Sequence, residues 1–415
     1  MRSSALYTDH YELTMLDAAL HAGTAGERAT FEVFSRSLPP GRRYGVLGGL
    51  GRLLDELESF RFGDAELAWL AEQRVVSGPT LEWLSRFRFT GTVDAYAEGE
   101  LYTAGSPVLT VEGPFGEAVL LETLVLSILN HDSAVAAAAS LIVAAAHGRP
   151  VIEMGSRRTD AEAAVAAARA AYLGGFVSTS NLEAGRRYGV PTAGTAAHAF
   201  VLSFPDERSA FAAQVAALGP STTLLVDTYD TELGIRRAVQ VAGHDLGGVR
   251  IDSGDLAAWA REARSLLDSL GATATRVILT GDLDDRSLEV LAGCPADGYG
   301  VGTSVVTGLG YPTAGFIYKL VAIEGRPVYK RSPGKATVGG RKWAWRAAAR
   351  GEEIVCTAPG PAPDGARPLQ SRVWAAGSRR PGPTLEESRA FHAGVVAELP
   401  ASVELTLVGD AASGG

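Results

Sequence analysis

The sequence predicts an α/β barrel joined to an N-terminal α+β domain. Three observations carry that expectation. From Pro150 onward, short apolar stretches alternate strictly with helical ones, which implies parallel strands. Eight such strand candidates fall within about 170 residues, the count a closed barrel requires. Almost every candidate ends in polar or glycine residues, and the C-terminal strand ends are where barrels gather their chemistry. A doubly wound open sheet is the competing topology for the same alternation.

The elements follow in order. Residues 1–112 mix helical and strand signals. "YELTMLDAALHAG" has apolar positions near helical spacing and a stop at Gly23, and "ATFEVFSRSLP" alternates like a strand. "GTVDAYAEGELYTAGSPVLTVEGP" (91–114) reads as several short strands with Gly and Pro turns. Residues 113–320 form the expected barrel domain, opening on the long apolar helix "EAVLLETLVLSILNHDSAVAAAASLIVAAAHG". The strand candidates are "PVIEMG", "GFVST", "PTAGTAAH", "TTLLVDT", "GVRIDSG", "RVILTG", "GYGVGT" and "TAGFIYKLV". Residues 321–415 read as a C-terminal segment with a basic strand region, then a Pro- and Gly-rich stretch ending in the expected disordered tail "GDAASGG".

Composition narrows the function. Thirty-eight Lys and Arg against 47 Asp and Glu give a net charge of −9. That balance opposes a general nucleic-acid or membrane-surface role, so an anionic substrate needs a local basic pocket. Cys294 and Cys356 are far apart, without a CxxC pattern, which offers neither a zinc site nor a disulfide framework. A cytoplasmic location fits best. "SAVAAAASLIVAAAHG" (133–148) is 16 residues long and mostly alanine, short of the roughly 20 strongly apolar residues of a membrane span.

The strand ends supply the candidate residues. Arg157 and Arg158 stand where a helix begins, and cations there oppose the helix dipole, which favours an anion partner over a solvated helix start. In "RIDSGD", Asp255 reads as a helix cap. Arg250 and Asp252 alternate along the strand and can share one lumen, either as a structural ion pair or as a site for a phosphate and a ribose hydroxyl or magnesium. Gly281, Asp282 and "GVGTS" (300–304) permit close backbone approach to a ligand. His198 ends "GTAAH" among small residues. A core histidine is the ordinary reading; the room left by Gly194, Ala196 and Ala197 favours a functional one.

Taken together and in order, "YTDHYELTM", "EMGSRRTDAEAA", "GGFVSTSN", "GTAAHAF", "RIDSGD", "TGDLD" and "YGVGTS" resemble the nicotinate phosphoribosyltransferases, particularly the actinobacterial type, from residue 7 to about residue 346. The resemblance implies the type II phosphoribosyltransferase fold: an irregular α/β barrel with an N-terminal α+β domain completed by C-terminal segments. It implies transfer from 5-phosphoribosyl 1-pyrophosphate to nicotinate, coupled to ATP through a phosphohistidine at His198, with Mg2+ held by Asp252 and the substrate phosphates. It further implies that Arg157, Arg250 and Asp252 contact the phosphoribosyl substrate. Gly281, Asp282, Gly302 and Thr303 would line its 5′-phosphate and ribose end. The pyridine ring would lie between Met154, where relatives often carry Phe, and Tyr11, which a homodimer with shared sites would supply from the neighbouring subunit. Ser180, where nicotinamide-specific enzymes carry an aspartate, and Thr179 would donate hydrogen bonds to the nicotinate carboxylate. The basic "KRSPGK" (330–335) reads either as an ATP phosphate contact or as a solvated loop. Rival readings are an enzyme for nicotinamide or quinolinate, a pyridine-nucleotide-binding barrel without catalysis, and a generic sugar-phosphate barrel enzyme.

Overall fold

The alternation in "ATFEVFSRSLP" builds strand Arg28–Ser35, which is hydrogen-bonded on both sides: to Leu109–Pro114 and to Phe316–Ile323, both antiparallel. The computed structural model describes residues 3–330, 338–400 and 402–409. These divide into one unit of 1–137 with 311–415 and a second of 138–310.

In the first unit, that strand belongs to a seven-stranded sheet. Phe31 and Val33 point into an apolar core with Leu53, Leu54 and Leu57 of helix Leu50–Ser59. Glu32 points the other way and is also buried; its carboxylate is neutralised by Lys342, whose Nζ lies 2.6 Å from Oε2. Burying a carboxylate is costly unless charged or hydrogen-bonding partners meet it, and Lys342 does so here. C-terminal segments complete this sheet: Gln370–Ala375 pairs antiparallel with Thr92–Tyr96, which buries Trp374. A further four-stranded sheet is built from Arg367–Pro368, Trp343–Ala347, Glu352–Cys356 and Thr406–Gly409. Helix His10–Ala22 stops where expected, at Gly23, whose φ of 77° suits glycine.

The second unit carries six parallel strands: Val151–Glu153, Ser178–Thr179, Thr223–Leu225, Gly248–Ile251, Arg276–Leu279 and Gly298–Val301. The last pairs with the first (Val301 opposite Glu153), so the sheet curls towards closure as an irregular barrel. Helices Ala161–Leu173, Leu182–Tyr188, Glu207–Leu218, Thr231–Ala242, Leu256–Ser269 and Asp285–Leu291 intervene between them.

Two of the eight expected barrel strands are not barrel strands. "PTAGTAAH" makes one isolated bridge, Thr192 to Thr179. Its Pro, Gly and Ala residues lack the branched bulk that stabilises a strand. "TAGFIYKLV" becomes Phe316–Ile323 and pairs antiparallel in the first unit, where Tyr318 stacks on Phe31 with ring centroids 4.7 Å apart. Its alternation is that of an antiparallel strand, not of one buried on both faces in a parallel sheet. The expected domain limits of 113 and 320 shift accordingly. Leu120, Leu121, Leu124 and Val125 pack in the core of the first unit, so 113–137 belong there, as do 311–320.

The segment Phe115–Ala145 is long and apolar enough to cross a membrane, but 72% of its most apolar window is buried in the protein. It comprises helices Phe115–Val119 and Glu122–Ala145. Within "KRSPGK", residues 331–335 lie outside the described residues, as do 410–415 of the expected disordered tail.

Candidate active site

The site forms within the second unit, where register decides which residues meet. Leu225 is opposite Arg250, and Arg250 is opposite Ile278. Two residues further along each strand, Asp227, Asp252 and Thr280 therefore stand level, on the same face of the pleat. The backbone N–H of Asp252 donates to Asp227 Oδ2 at 2.8 Å, and the Thr280 hydroxyl donates to Asp252 Oδ1.

Arg250 is fixed by four contacts. Its Nε donates to Thr280 Oγ1 at 3.0 Å. One terminal nitrogen donates to Thr195 Oγ1 at 2.7 Å and to the Ala196 carbonyl at 3.3 Å; the other lies 3.2 Å from Asp252 Oδ1. The two readings of this pair therefore merge: Arg250 and Asp252 form an ion pair, and both line a cavity of about 150 Å³. Arg157 and Arg158 line it too, with Met154, Asp282 and Thr303. Three arginines against two carboxylates make a basic pocket in an acidic chain, the local exception that an anionic substrate requires.

The backbone around the cavity is shaped for close approach. Gly281 has φ 112°, and a Cβ there would lie 2.3 Å from the Asp252 carbonyl oxygen. Asp282 follows with φ 50°, an uncommon left-handed conformation for a non-glycine residue. Gly302 completes the rim. At Gly300 a Cβ would meet Met154 Sδ at 2.7 Å, so the missing side chain is what seats Met154. The helix caps are supplied by other residues. Asp160 caps Ala161–Leu173 and Asp255 caps Leu256–Ser269, so Arg157, Arg158 and Asp252 are left to the cavity.

His198 is not a strand end. It opens the short helix His198–Leu202. Its Nδ1 is 3.1 Å from Thr228 Oγ1. Its Nε2 lies 3.9 Å from Asp227 Oδ1 and 3.9 Å from Asp252 Oδ2. The imidazole side chain is 39% exposed, while that of Asp227 is only 2% exposed. Asp227 Oδ1 is buried without a hydrogen-bond partner. This is no core histidine: one edge meets solvent and the other faces two carboxylates.

Asp227 is the residue beside His198 and Asp252 that the candidate set lacks. The available signal is the strand end "VDTYD", with a carboxylate two residues past Leu225, where "RIDSGD" has one directly after Ile251. One expected ligand contact, Thr179, is already engaged within the protein. Thr179 is fully buried; its hydroxyl donates to Glu153 and accepts from the Asn181 N–H at 3.0 Å, so it has no proton left for a substrate carboxylate. Ser180, beside it, is exposed. Tyr11 belongs to the first unit, on helix His10–Ala22. It is 44% exposed, and its phenol bonds Glu122; burial and the nearby Glu122 and Glu12 carboxylates push its ionisation up.

A model of the nicotinate phosphoribosyltransferase N-terminal domain matches residues 6–130, and a model of the nicotinate phosphoribosyltransferase family matches residues 150–339. The chain is 59% identical over 351 residues to nicotinate phosphoribosyltransferase pncB1 of Mycobacterium tuberculosis, covering 83% of this chain and 78% of that one. The chain belongs to the nicotinate phosphoribosyltransferase family. It is also 38% identical over 359 residues to the nicotinate phosphoribosyltransferase of Bacillus subtilis, covering 83% of this chain and 73% of that one. Among solved structures, human nicotinic acid phosphoribosyltransferase matches with a TM-score of 0.84 and 28% identity, over 98% of both chains. The nicotinate-nucleotide pyrophosphorylase of Pyrococcus furiosus, 24% identical, shares the fold with a TM-score of 0.81 over 95% of both chains. The nicotinate phosphoribosyltransferase fold thus accounts for the irregular barrel and for an N-terminal sheet finished by C-terminal strands.

Proposed function

We propose that this chain joins nicotinate to 5-phosphoribosyl 1-pyrophosphate, giving nicotinate mononucleotide and pyrophosphate in the first step of NAD synthesis from nicotinate. ATP hydrolysis is coupled to that transfer through His198. The observation that carries the reading is the position of His198 Nε2, 3.9 Å from Asp252, which itself lines the arginine cavity. A phosphoryl carrier and a pyrophosphate site then share one carboxylate.

In the tautomer with its proton on Nδ1, His198 is oriented by Thr228 and presents the Nε2 lone pair. Nε2 attacks the γ-phosphorus of ATP, the P–O bond to ADP breaks, and the imidazolium charge faces Asp227 and Asp252. In the transfer step, nicotinate N1 attacks the ribose C1 as the C1–O bond to pyrophosphate breaks. Arg157 and Arg250 bind the phosphate oxygens whose charge grows. The Gly281–Asp282 turn and the Gly302–Thr303 rim hold the ribose and 5′-phosphate. Water then attacks the phosphohistidine phosphorus, the P–Nε2 bond breaks, inorganic phosphate leaves and the neutral imidazole is restored.

Magnesium fits the donor set. Asp227 offers a buried, unpartnered carboxylate oxygen beside Asp252. Among the described residues, no group of three or more His, Cys, Asp or Glu surrounds a metal. Two carboxylates completed by substrate phosphates and water are how Mg2+ is ordinarily held. When bound there it would neutralise charge on the leaving pyrophosphate. The exposed Ser180 supports the acid over the amide, since an aspartate there would repel the carboxylate of nicotinate. Tyr11 is proposed to cover the pyridine ring opposite Met154, from the neighbouring subunit of a homodimer, in a cytoplasmic enzyme.

The test supplies nicotinate, nicotinamide and quinolinate separately with labelled 5-phosphoribosyl 1-pyrophosphate, with and without ATP. Labelled mononucleotide should form from nicotinate, faster with ATP. Preference for either other pyridine would overturn the assignment.

A further inference from the structure

Glu153 ends the first barrel strand, is 1% exposed, and touches no substrate-facing surface. Yet its side chain reaches two loops, one carrying the cavity arginines and the other carrying Ser180. Oε1 accepts the N–H of Gly155, which starts the loop carrying Arg157 and Arg158. Oε2 accepts the hydroxyl of Thr179, immediately before Ser180. The linkage closes on itself through neighbouring groups. Thr179 Oγ1 accepts the Asn181 N–H at 3.0 Å, and Asn181 Nδ2 donates to Ser156 Oγ at 3.0 Å. The Ser180 N–H donates to the Glu153 carbonyl at 2.8 Å. A ring of hydrogen bonds therefore runs Glu153, Thr179, Asn181, Ser156 and back through Gly155.

No cationic side chain pairs with Glu153 among the described residues. Burial raises its pKa, and the Thr179 and Gly155 donors act against that shift. A buried carboxylate held only by neutral donors is a costly way to fasten two loops if fastening were all that mattered. What the charge adds is directionality. A carboxylate can only accept, so Thr179 must donate towards it and the Gly155 N–H must turn inward, away from the cavity. The conformation of the 155–158 loop, and with it the direction of both arginines, is set by the same group that sets the peptide at Ser180.

We propose that Glu153 is a positioning residue that locks the phosphate-binding arginine loop to the Ser180 loop, so that the pyridine acid and the phosphoribosyl pyrophosphate bind interdependently. The inference rests on the substrate assignment above.

The test measures kcat and the KM of each substrate at several fixed concentrations of the other, for the wild type, Glu153→Gln, Thr179→Val and Thr179→Ser. Glu153→Gln keeps the volume but presents an amide donor to Thr179; Thr179→Val removes the link; Thr179→Ser retains it. Glu153→Gln and Thr179→Val should each raise both KM values about tenfold or more and abolish their mutual dependence, with kcat much less affected. Thr179→Ser should stay within about twofold of the wild type. Unchanged KM values, or losses confined to thermal stability, would overturn the proposal. If Glu153→Gln fails to fold, the Val and Ser variants at Thr179 decide alone. A wild type inert with these substrates would refute the substrate assignment itself, whereas an active wild type with indifferent variants would refute only the role of Glu153.

Discussion

At the scale of single residues, the site is an arrangement of charges whose partners differ in kind. Arg250 is held by Thr280, Thr195 and Asp252, so its guanidinium is already oriented before a ligand arrives. Arg250→Ala should weaken phosphoribosyl pyrophosphate binding by about 1.5–3 kcal/mol, the worth of hydrogen bonds to a charged group. Calorimetry giving the wild-type affinity would contradict that. Asp227 places a buried carboxylate oxygen 3.9 Å from His198 Nε2. Asp227→Asn should slow phosphorylation of His198 about a hundredfold while leaving nucleotide binding nearly unchanged; a quench-flow rate equal to the wild type would refute the pairing. Arg157, Arg250 and Asp252 were legible in the sequence because each lies in or just beyond the polar end of a strand, and His198 because small residues surround it. Asp227 was not singled out, because its importance comes from cross-strand register, which one chain segment does not display. Thr179 shows the opposite limit. Its residue type suits a ligand contact, but its hydroxyl is already committed to Glu153.

At the scale of elements, helix His10–Ala22 carries a pH-dependent anchor. Glu12 is fully buried and accepts from Thr8 and from the N–H and hydroxyl of Thr123. Burial nevertheless raises its pKa to about 7. Between the unfolded value near 4.5 and that folded value, the native state holds a proton that the unfolded chain has released. This stabilisation is complete below pH 4.5 and is lost as pH rises through 7. Glu12→Gln cannot titrate, so between those limits the variant should gain roughly 3 kcal/mol relative to the wild type. Urea unfolding at acid and alkaline pH measures this, and a pH-independent difference between the two proteins would contradict it. The periodic helix Leu256–Ser269 and the alanine-rich, continuously buried helix Ala161–Leu173 were readable directly. The third and eighth strand candidates were not. "PTAGTAAH" has strand-like neighbours but too little side-chain bulk to hold a ladder, and Phe316–Ile323 finds its partner nearly 300 residues earlier in the chain.

At the scale of the molecule, the chain returns to its beginning. Gln370–Ala375 seals the edge of Thr92–Tyr96 and buries Trp374 in the core shared by Val93 and Val111. Trp374→Ala should cost about 3–5 kcal/mol, visible as a lower denaturation midpoint; an unchanged midpoint would mean that the C-terminal strand is an accessory. Alternation of strands and helices revealed the barrel, but not where the units divide. That boundary falls inside helix Glu122–Ala145, whose apolar surface is continuous across residue 137, so no change of composition marks it. The proposed reaction stands on His198 carrying a phosphoryl group beside the pyrophosphate site. Incubation with γ-labelled ATP, followed by peptide mapping, tests it most directly. Acid-labile label should appear on the peptide containing His198 and vanish in His198→Ala, together with ATP hydrolysis, while slow uncoupled transfer persists. No label on that peptide, or full ATP-coupled turnover by His198→Ala, would contradict the account.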